Sequence, residues 1–287
     1  MNWRNLVLIF SIIALGACTK MYFPKPLPNQ GELLTELPPF LKGKFLKKQE
    51  KTESGAMEYL EIKRFNKQHC RLYTSYAFSK DSIDKMIKGL NTDSSSAVLK
   101  GNTFIYTMRD SVEKTVFERD GDLFYTPKDT LCEIDLASAQ FWDDFPDGEA
   151  KKLLLKKLGD AYYLNVLESN VGDSGKDYWF VVKFDFQQSE LSISNTSIND
   201  STFSKKLDYY NKIAKIDKIG GNQYLCNGGD KAFFQLFAEP GLFEKVVWQE
   251  VVEERKQVLL YLAGLVTVGV VVIGLLIWVI KNRPNPS

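Results

Sequence analysis

The chain has a single histidine, His69, and it stands directly before Cys70. A thiol with an imidazole base would be the elementary equipment of a cysteine nucleophile. Neighbouring residues on a strand point to opposite faces, so these two cannot serve each other, and Cys132 or Cys226 would have to be the partner of His69. No pair among Cys70, Cys132 and Cys226 has the spacing of a zinc or redox motif. Three thiols allow one disulfide in an oxidising compartment, with every pairing of Cys70, Cys132 and Cys226 open. The acidic stretch Asp143-Asp144-Phe145-Pro146-Asp147-Gly148-Glu149 offers oxygen ligands, but it lacks the alternating acids of a calcium loop and reads as a solvated loop. Asp173-Ser174-Gly175-Lys176-Asp177 lacks the spacing of a phosphate loop, and Ser174 lacks the spaced glycines of a nucleophile elbow. That stretch reads as a hairpin turn. The sequence nominates no catalytic residue, no metal ligand and no cofactor.

The elements that would position any chemistry are mostly strands. The 287 residues are 44% hydrophobic and 25% charged, a globular composition, and 37 Lys+Arg against 36 Asp+Glu leave no basic field for nucleic acid. Strands are expected at Lys44 to Lys47, Met57 to Arg64, Arg71 to Phe78, Thr103 to Met108, Thr115 to Glu118 and Leu123 to Thr126. Further strands are expected at Ala161 to Leu167, Tyr178 to Phe186, Leu191 to Ser194 and Gln223 to Cys226. Tyr178 to Phe186 is the central one, and Leu191-Ser192-Ile193-Ser194 an edge or half-exposed partner across Gln187 to Glu190. Helices are expected from Asp81 to Leu90, capped by Ser79 or Asp81, and from Lys231 to Glu239, capped by Asp230. Leu207 to Ile219 fits a helix or a strand pair. The fold class is α+β, a β-rich body of antiparallel sheets with few short helices, divided near Trp142 to Glu149 and followed by one C-terminal transmembrane helix.

The two ends suggest addresses. Arg4 precedes an apolar run from Leu6 to Ala17 that spans about 18 Å as a helix, too short to cross roughly 30 Å of hydrocarbon. It ends in Leu15-Gly16-Ala17-Cys18, which resembles the lipobox of bacterial lipoproteins, with Gly16 in place of the commoner Ala or Ser. The resemblance covers the first eighteen residues. It implies that residues 1–17 are a signal peptide and that Cys18 is lipidated and becomes the first mature residue. Val258 to Ile280 carries no charge and would give about 34 Å of helix, with Lys281 and Arg283 beyond it. The positive-inside rule then puts the tail, 281–287, in the cytoplasm.

The expected organisation is therefore a signal peptide (1–17), a Pro-rich spacer (18–39), a β-rich body (40–242), a juxtamembrane stalk helix (243–257), a transmembrane helix (258–280) and a tail (281–287). This places the body on the outer, periplasmic face of the cytoplasmic membrane. The membrane would be held by acyl chains on Cys18 and by the helix Val258 to Ile280, and the protein partner would be another envelope component. The expected function is a non-enzymatic binding or assembly module. The alternative is an envelope hydrolase using a carboxylate pair, which 36 acids make available without marking which two.

Overall fold

Alternation of apolar and polar side chains, not helical periodicity, governs most of this chain. The computed structural model describes residues 19–48, 55–109, 111–143, 148–198 and 200–251. The first strands are β1 (Thr19–Tyr22), β2 (Glu32–Leu33), β3 (Gly43–Lys47), β4 (Met57–Arg64) and β5 (His69–Ser79). Helix α1 (Lys80–Leu90) follows, then β6 (Ser95–Lys100), β7 (Thr103–Met108), β8 (Ser111–Val116), β9 (Glu118–Asp120) and β10 (Leu123–Tyr125). The middle of the chain forms β11 (Asp129–Asp135), β12 (Gln140–Asp143), β13 (Lys151–Leu158), β14 (Ala161–Val171), β15 (Lys176–Gln187) and β16 (Glu190–Ile198). Helix α2 (Asp200–Ile213), β17 (Lys215–Gly220), β18 (Gln223–Asn227), helix α3 (Asp230–Ala238) and β19 (Phe243–Glu250) complete it.

Ten strands, in the order β3, β4, β5, β11, β12, β13, β14, β15, β16 and β19, pair antiparallel, and β19 returns to β3 to close a barrel. An antiparallel ring must have an even number of strands, and closure removes the exposed edges. Every one of these strands sends apolar side chains inward. Phe45, Leu60, Leu72, Ile134, Leu153, Leu164, Phe184, Leu191 and Trp248 share one cluster with the half-buried Phe141 of β12. The intervening outward positions carry Lys44, Glu61, Lys63, Arg71, Glu133, Lys183 and Asp185. A membrane-embedded barrel shows the reverse, apolar outside and polar within. This barrel is built around its own apolar core.

Two insertions decorate the ring. Between β5 and β11, α1 packs on a separate sheet of β6, β7 and β8 around Phe78, Ile83, Phe104, Phe117 and Phe124. Between β16 and β19, α2 and α3 cover the outside of the wall together with β1, β17 and β18, around Met21, Phe23, Val181, Phe203, Tyr210 and Phe233. Ser79 caps α1 by accepting from the Ser82 amide at 3.2 Å, as its residue type predicts. Asp230 does not cap α3. Its carboxylate instead takes hydrogen bonds from the Asn29 and Gln30 amides.

Several expectations are corrected. The body is mostly β, not α+β, and the acidic loop does not divide two sheets, because β12 and β13 continue one barrel across it. The stalk helix expected over 243–257 begins instead as β19, whose Val246 and Trp248 face the core. The run Val246-Val247-Trp248 is β-branched and aromatic, and its inward side chains find a ready apolar interior, which outweighs the helical spacing of Phe243, Val247 and Val251. β16, expected either at an edge or as a half-exposed partner strand, is paired on both sides. The Pro-rich stretch is no free spacer. Met21, Tyr22, Phe23 and Leu27 are buried, and Leu37 and Leu41 enter the barrel core.

The transmembrane expectation also fails to find support. Among the described residues no helix is long and apolar enough to cross a membrane, and α2, the longest, has 14 residues. The segment Val258 to Ile280 and the tail 281–287 lie outside the described residues, as do the signal peptide and Cys18. The placement in the cytoplasmic membrane with a cytoplasmic tail, which rested on that helix, is not retained.

Candidate functional site

The barrel has two chemically different mouths. At one, the turns β13–β14 and β15–β16 meet a plug formed by residues 34–41. Leu34, Leu37, Phe40 and Leu41 drop from this plug onto the apolar core. Arg64 holds it down, its guanidinium donating to the carbonyls of Pro38 at 3.1 Å, Leu37 at 3.0 Å and Lys67 at 3.1 Å. Between plug and wall lies a cleft of about 340 Å³ lined by Phe40, Lys157, Asp160, Tyr162, Phe186 and Gln187. That volume is at the lower end of the range of small-molecule sites.

Each lining residue is delivered by a local rule. Tyr162 and Phe186 continue the inward sides of β14 and β15, two positions from Leu164 and Phe184. Lys157 is the cross-strand partner of Tyr162, and its ammonium lies 5.6 Å from the centre of that ring. Phe40 stacks on Phe186, centroids 5.1 Å apart and rings 2° from parallel, and meets Tyr162 edge-on at 5.2 Å. Asp160 and Gln187 are exposed at the rim. The β15–β16 turn beside Gln187 places Gln188 and Ser189 at φ of 49° and 63°. Two consecutive left-handed residues make the hairpin turn that Asn-Gly adopts with ease, so this turn carries strain at the cleft edge.

The other mouth is ionic. Tyr22 donates to the Glu168 carboxylate at 2.5 Å, Lys20 reaches it at 3.4 Å and Lys151 at 3.8 Å, while Lys151 also binds Asp143 at 2.5 Å. Burial first, and then the Glu168 carboxylate, push the Tyr22 phenol well above its ordinary range, so it stays a donor. Asp143 and Glu168 are a carboxylate pair, but one ammonium bridges them and ties β12, β13 and β14 together. At the same end, on β3 and β4, Lys47 pairs with Glu58 at 2.5 Å. On the outer wall a third group gathers: Glu133 accepts from Arg71 Nε at 2.6 Å and lies 2.7 Å from His69 Nε2, with the exposed Phe65 ring 4.7 Å from His69. In both networks the charges already satisfy one another. The aromatic cleft instead opens its groups to a ligand.

The residues singled out from the sequence do not converge. His69 faces outward and Cys70 inward, as strand alternation requires. Cys70, Cys132 and Cys226 are free, buried thiols. Burial pushes Cys70 up to about 12 and Cys226 up to about 11, and raises Cys132 as well, so all three are held as inert thiols. Asp173 to Gly175 lie in the β14–β15 turn, and Asp144 to Asp147 lie outside the described residues. Among the described residues no group of three or more His, Cys, Asp or Glu side chains could hold a metal. The cleft residues escaped sequence reading because their positions span 147 places of chain, from Phe40 to Gln187. The one available signal was Phe186 followed by a turn, an inward aromatic at a strand end. Compared with protein-family models, curated proteins and solved structures, the chain matches none of them.

Proposed function

We propose that this protein is an envelope lipoprotein, attached through Cys18, that acts as a non-enzymatic binding module and takes the saccharide part of another envelope component in its aromatic cleft. The observation that carries this reading is the cleft itself: the stacked Phe40–Phe186 pair with Tyr162 across it, and Lys157, Asp160 and Gln187 at its rim. Aromatic faces are electron-rich and receive the weakly positive C–H groups of a sugar ring, while a few polar groups around them fix orientation through the hydroxyls. Asp160 would accept from hydroxyls, Lys157 donate to ring or hydroxyl oxygens, and Gln187 do both.

The test is calorimetric titration of the purified protein with neutral and acidic oligosaccharides. Binding that weakens at least tenfold in Tyr162→Ala, and also in the rim variant Asp160→Asn, supports the reading. Absence of binding across such a panel, or binding indifferent to both substitutions, overturns it. Cleavage of an added oligosaccharide, lost in Glu168→Gln and indifferent to Tyr162→Ala, would favour the hydrolase alternative.

A further inference from the structure

The residue after the lipobox cysteine, Thr19, is already part of the fold. It is 2% exposed and pairs with Ile198, and the next residue, Lys20, donates its amide to the Asn222 carbonyl at 3.0 Å. The described fold thus begins at the residue that follows Cys18 in the sequence. Asn222 belongs to the β17–β18 turn, and this turn is docked on the β14–β15 turn, where the Asp173 amide donates to the Ile219 carbonyl at 2.7 Å and the Gly172 amide to Gln223 Oε1 at 2.9 Å. Only glycine permits that approach: Gly172 has φ of +69°, and a Cβ there would lie 2.3 Å from the Ile219 oxygen. These two fused turns lie at one end of the barrel, the end at which Thr19 and Lys20 sit. The aromatic cleft lies at the other. Strand β15 links them, running from Lys176 beside the fused turns to Gln187 in the cleft through 12 residues. That is about 36 Å along the strand at the usual rise, or about 28 Å along the barrel axis for strands tilted by roughly 40°.

We infer that the fused turns, 170–175 and 220–222, form a lipid-facing surface, and that the barrel stands on the bilayer with its cleft directed away from it. This rests on the reading of Cys18 as the acylated first residue and extends it from an address to an orientation. The exposed residues of these turns, Asn170, Asp173, Ser174 and Gly175 with Gly221 and Asn222, are small and polar. They meet headgroups without entering hydrocarbon, so the acyl chains hold the protein and the fold sets its attitude. A cleft held about 28 Å from the surface is out of reach of the same leaflet's headgroups. Its saccharide then belongs to a component standing off that membrane.

Single-cysteine labelling tests this on the full chain, acylated and placed in phosphatidylcholine vesicles. The resident Cys70, Cys132 and Cys226 are buried, so a fluorophore attaches selectively at Ser174→Cys, Asn222→Cys or Gln188→Cys. With a quencher carried on lipid headgroups, the probes at 174 and 222 are expected to be quenched several-fold more than the probe at 188, and this contrast should persist in high salt. Equal quenching, stronger quenching at 188, or mass spectrometry showing no acyl group on Cys18 overturns the orientation. Oligosaccharide titration of the same vesicles separates the two ideas: lost binding with the contrast intact removes only the ligand assignment, and retained binding without the contrast removes only the orientation.

Discussion

The two mouths of the barrel are made by the same strands, yet they solve opposite problems. At the ionic end, Glu168 is closed in by Lys20, Lys151 and Tyr22, and Lys47 by Glu58. At the far end, Phe40, Tyr162 and Phe186 leave a cleft with Lys157, Asp160 and Gln187 around it. Charges brought onto an inward face must find partners or forfeit several kcal/mol of hydration each, so the ionic end is committed to structure. Aromatic rings bear partial exposure at far smaller cost, so the aromatic end can stay open for a ligand. Chemical richness therefore misleads as a guide to function here: the mouth with more charged groups is the one with fewer groups to spare.

The contrast breaks first at Glu168. Glu168→Ala removes the carboxylate that Lys20 and the Tyr22 hydroxyl share and leaves Lys151 to Asp143 alone, and should reduce stability in urea by about 3 kcal/mol while leaving cleft binding intact. A binding defect in a still-folded protein would show that the two ends are coupled. Gly172→Ala should lose about 2 kcal/mol or more, since it combines a left-handed backbone with a Cβ driven against the Ile219 carbonyl. Hydrogen exchange should place the loss in β17 and β18. Tyr162→Ala is the mirror image of the Glu168 variant: at least tenfold weaker ligand binding, with about 1–2 kcal/mol of stability lost because the ring is only half-buried. Replacing Gln188-Ser189 with Asn-Gly should raise stability by roughly 1 kcal/mol. A loss of affinity in that same variant would show that the strained turn is shaped for the ligand.

The smallest effect at neutral pH comes from Tyr76. Its phenol faces Glu58 across β4 and β5, and burial, followed by the charges of Glu58 and Asp129, pushes it up to about 12 from an ordinary value of 10.0. The unfolded chain therefore releases this proton before the folded one does. Its contribution is complete below pH 10 and is lost as pH rises toward 12. Tyr76→Phe should match the parent protein below that window and fall less steeply through it, as read from urea midpoints at successive pH values.

Legibility in the sequence followed the range of the interactions. Tyr178 to Phe186 is a strand because alternating bulky residues suit a pleated surface whatever its neighbours, and Asp173 to Gly175 turn because glycine and small polar residues relieve the tight backbone. Ser79 caps α1 through a contact three residues away. By contrast, the stretch from Val246 to Trp248 satisfies helix and strand patterns alike, and only the open edges of β3 and β16 decide between them. The prolines between Thr19 and Pro39 suggested a detached spacer, since Pro donates no hydrogen bond; nothing local revealed that Leu37 and Leu41 would find the barrel core or that Arg64 would supply the missing donors.

By itself the sequence determined the elements whose stability is local: the alternating strands, their turns, the capped helix, and the opposed directions of His69 and Cys70. Closure of the ring, the partners of Glu168 and Glu133, and the meeting of Phe40 with Tyr162 and Phe186 were decided by tertiary structure alone. Inward-facing residues are interchangeable as a pattern, and which of them meet depends on strand order and register. Those are set by the burial of the whole core, a free energy that belongs to the assembled barrel and to no segment of it.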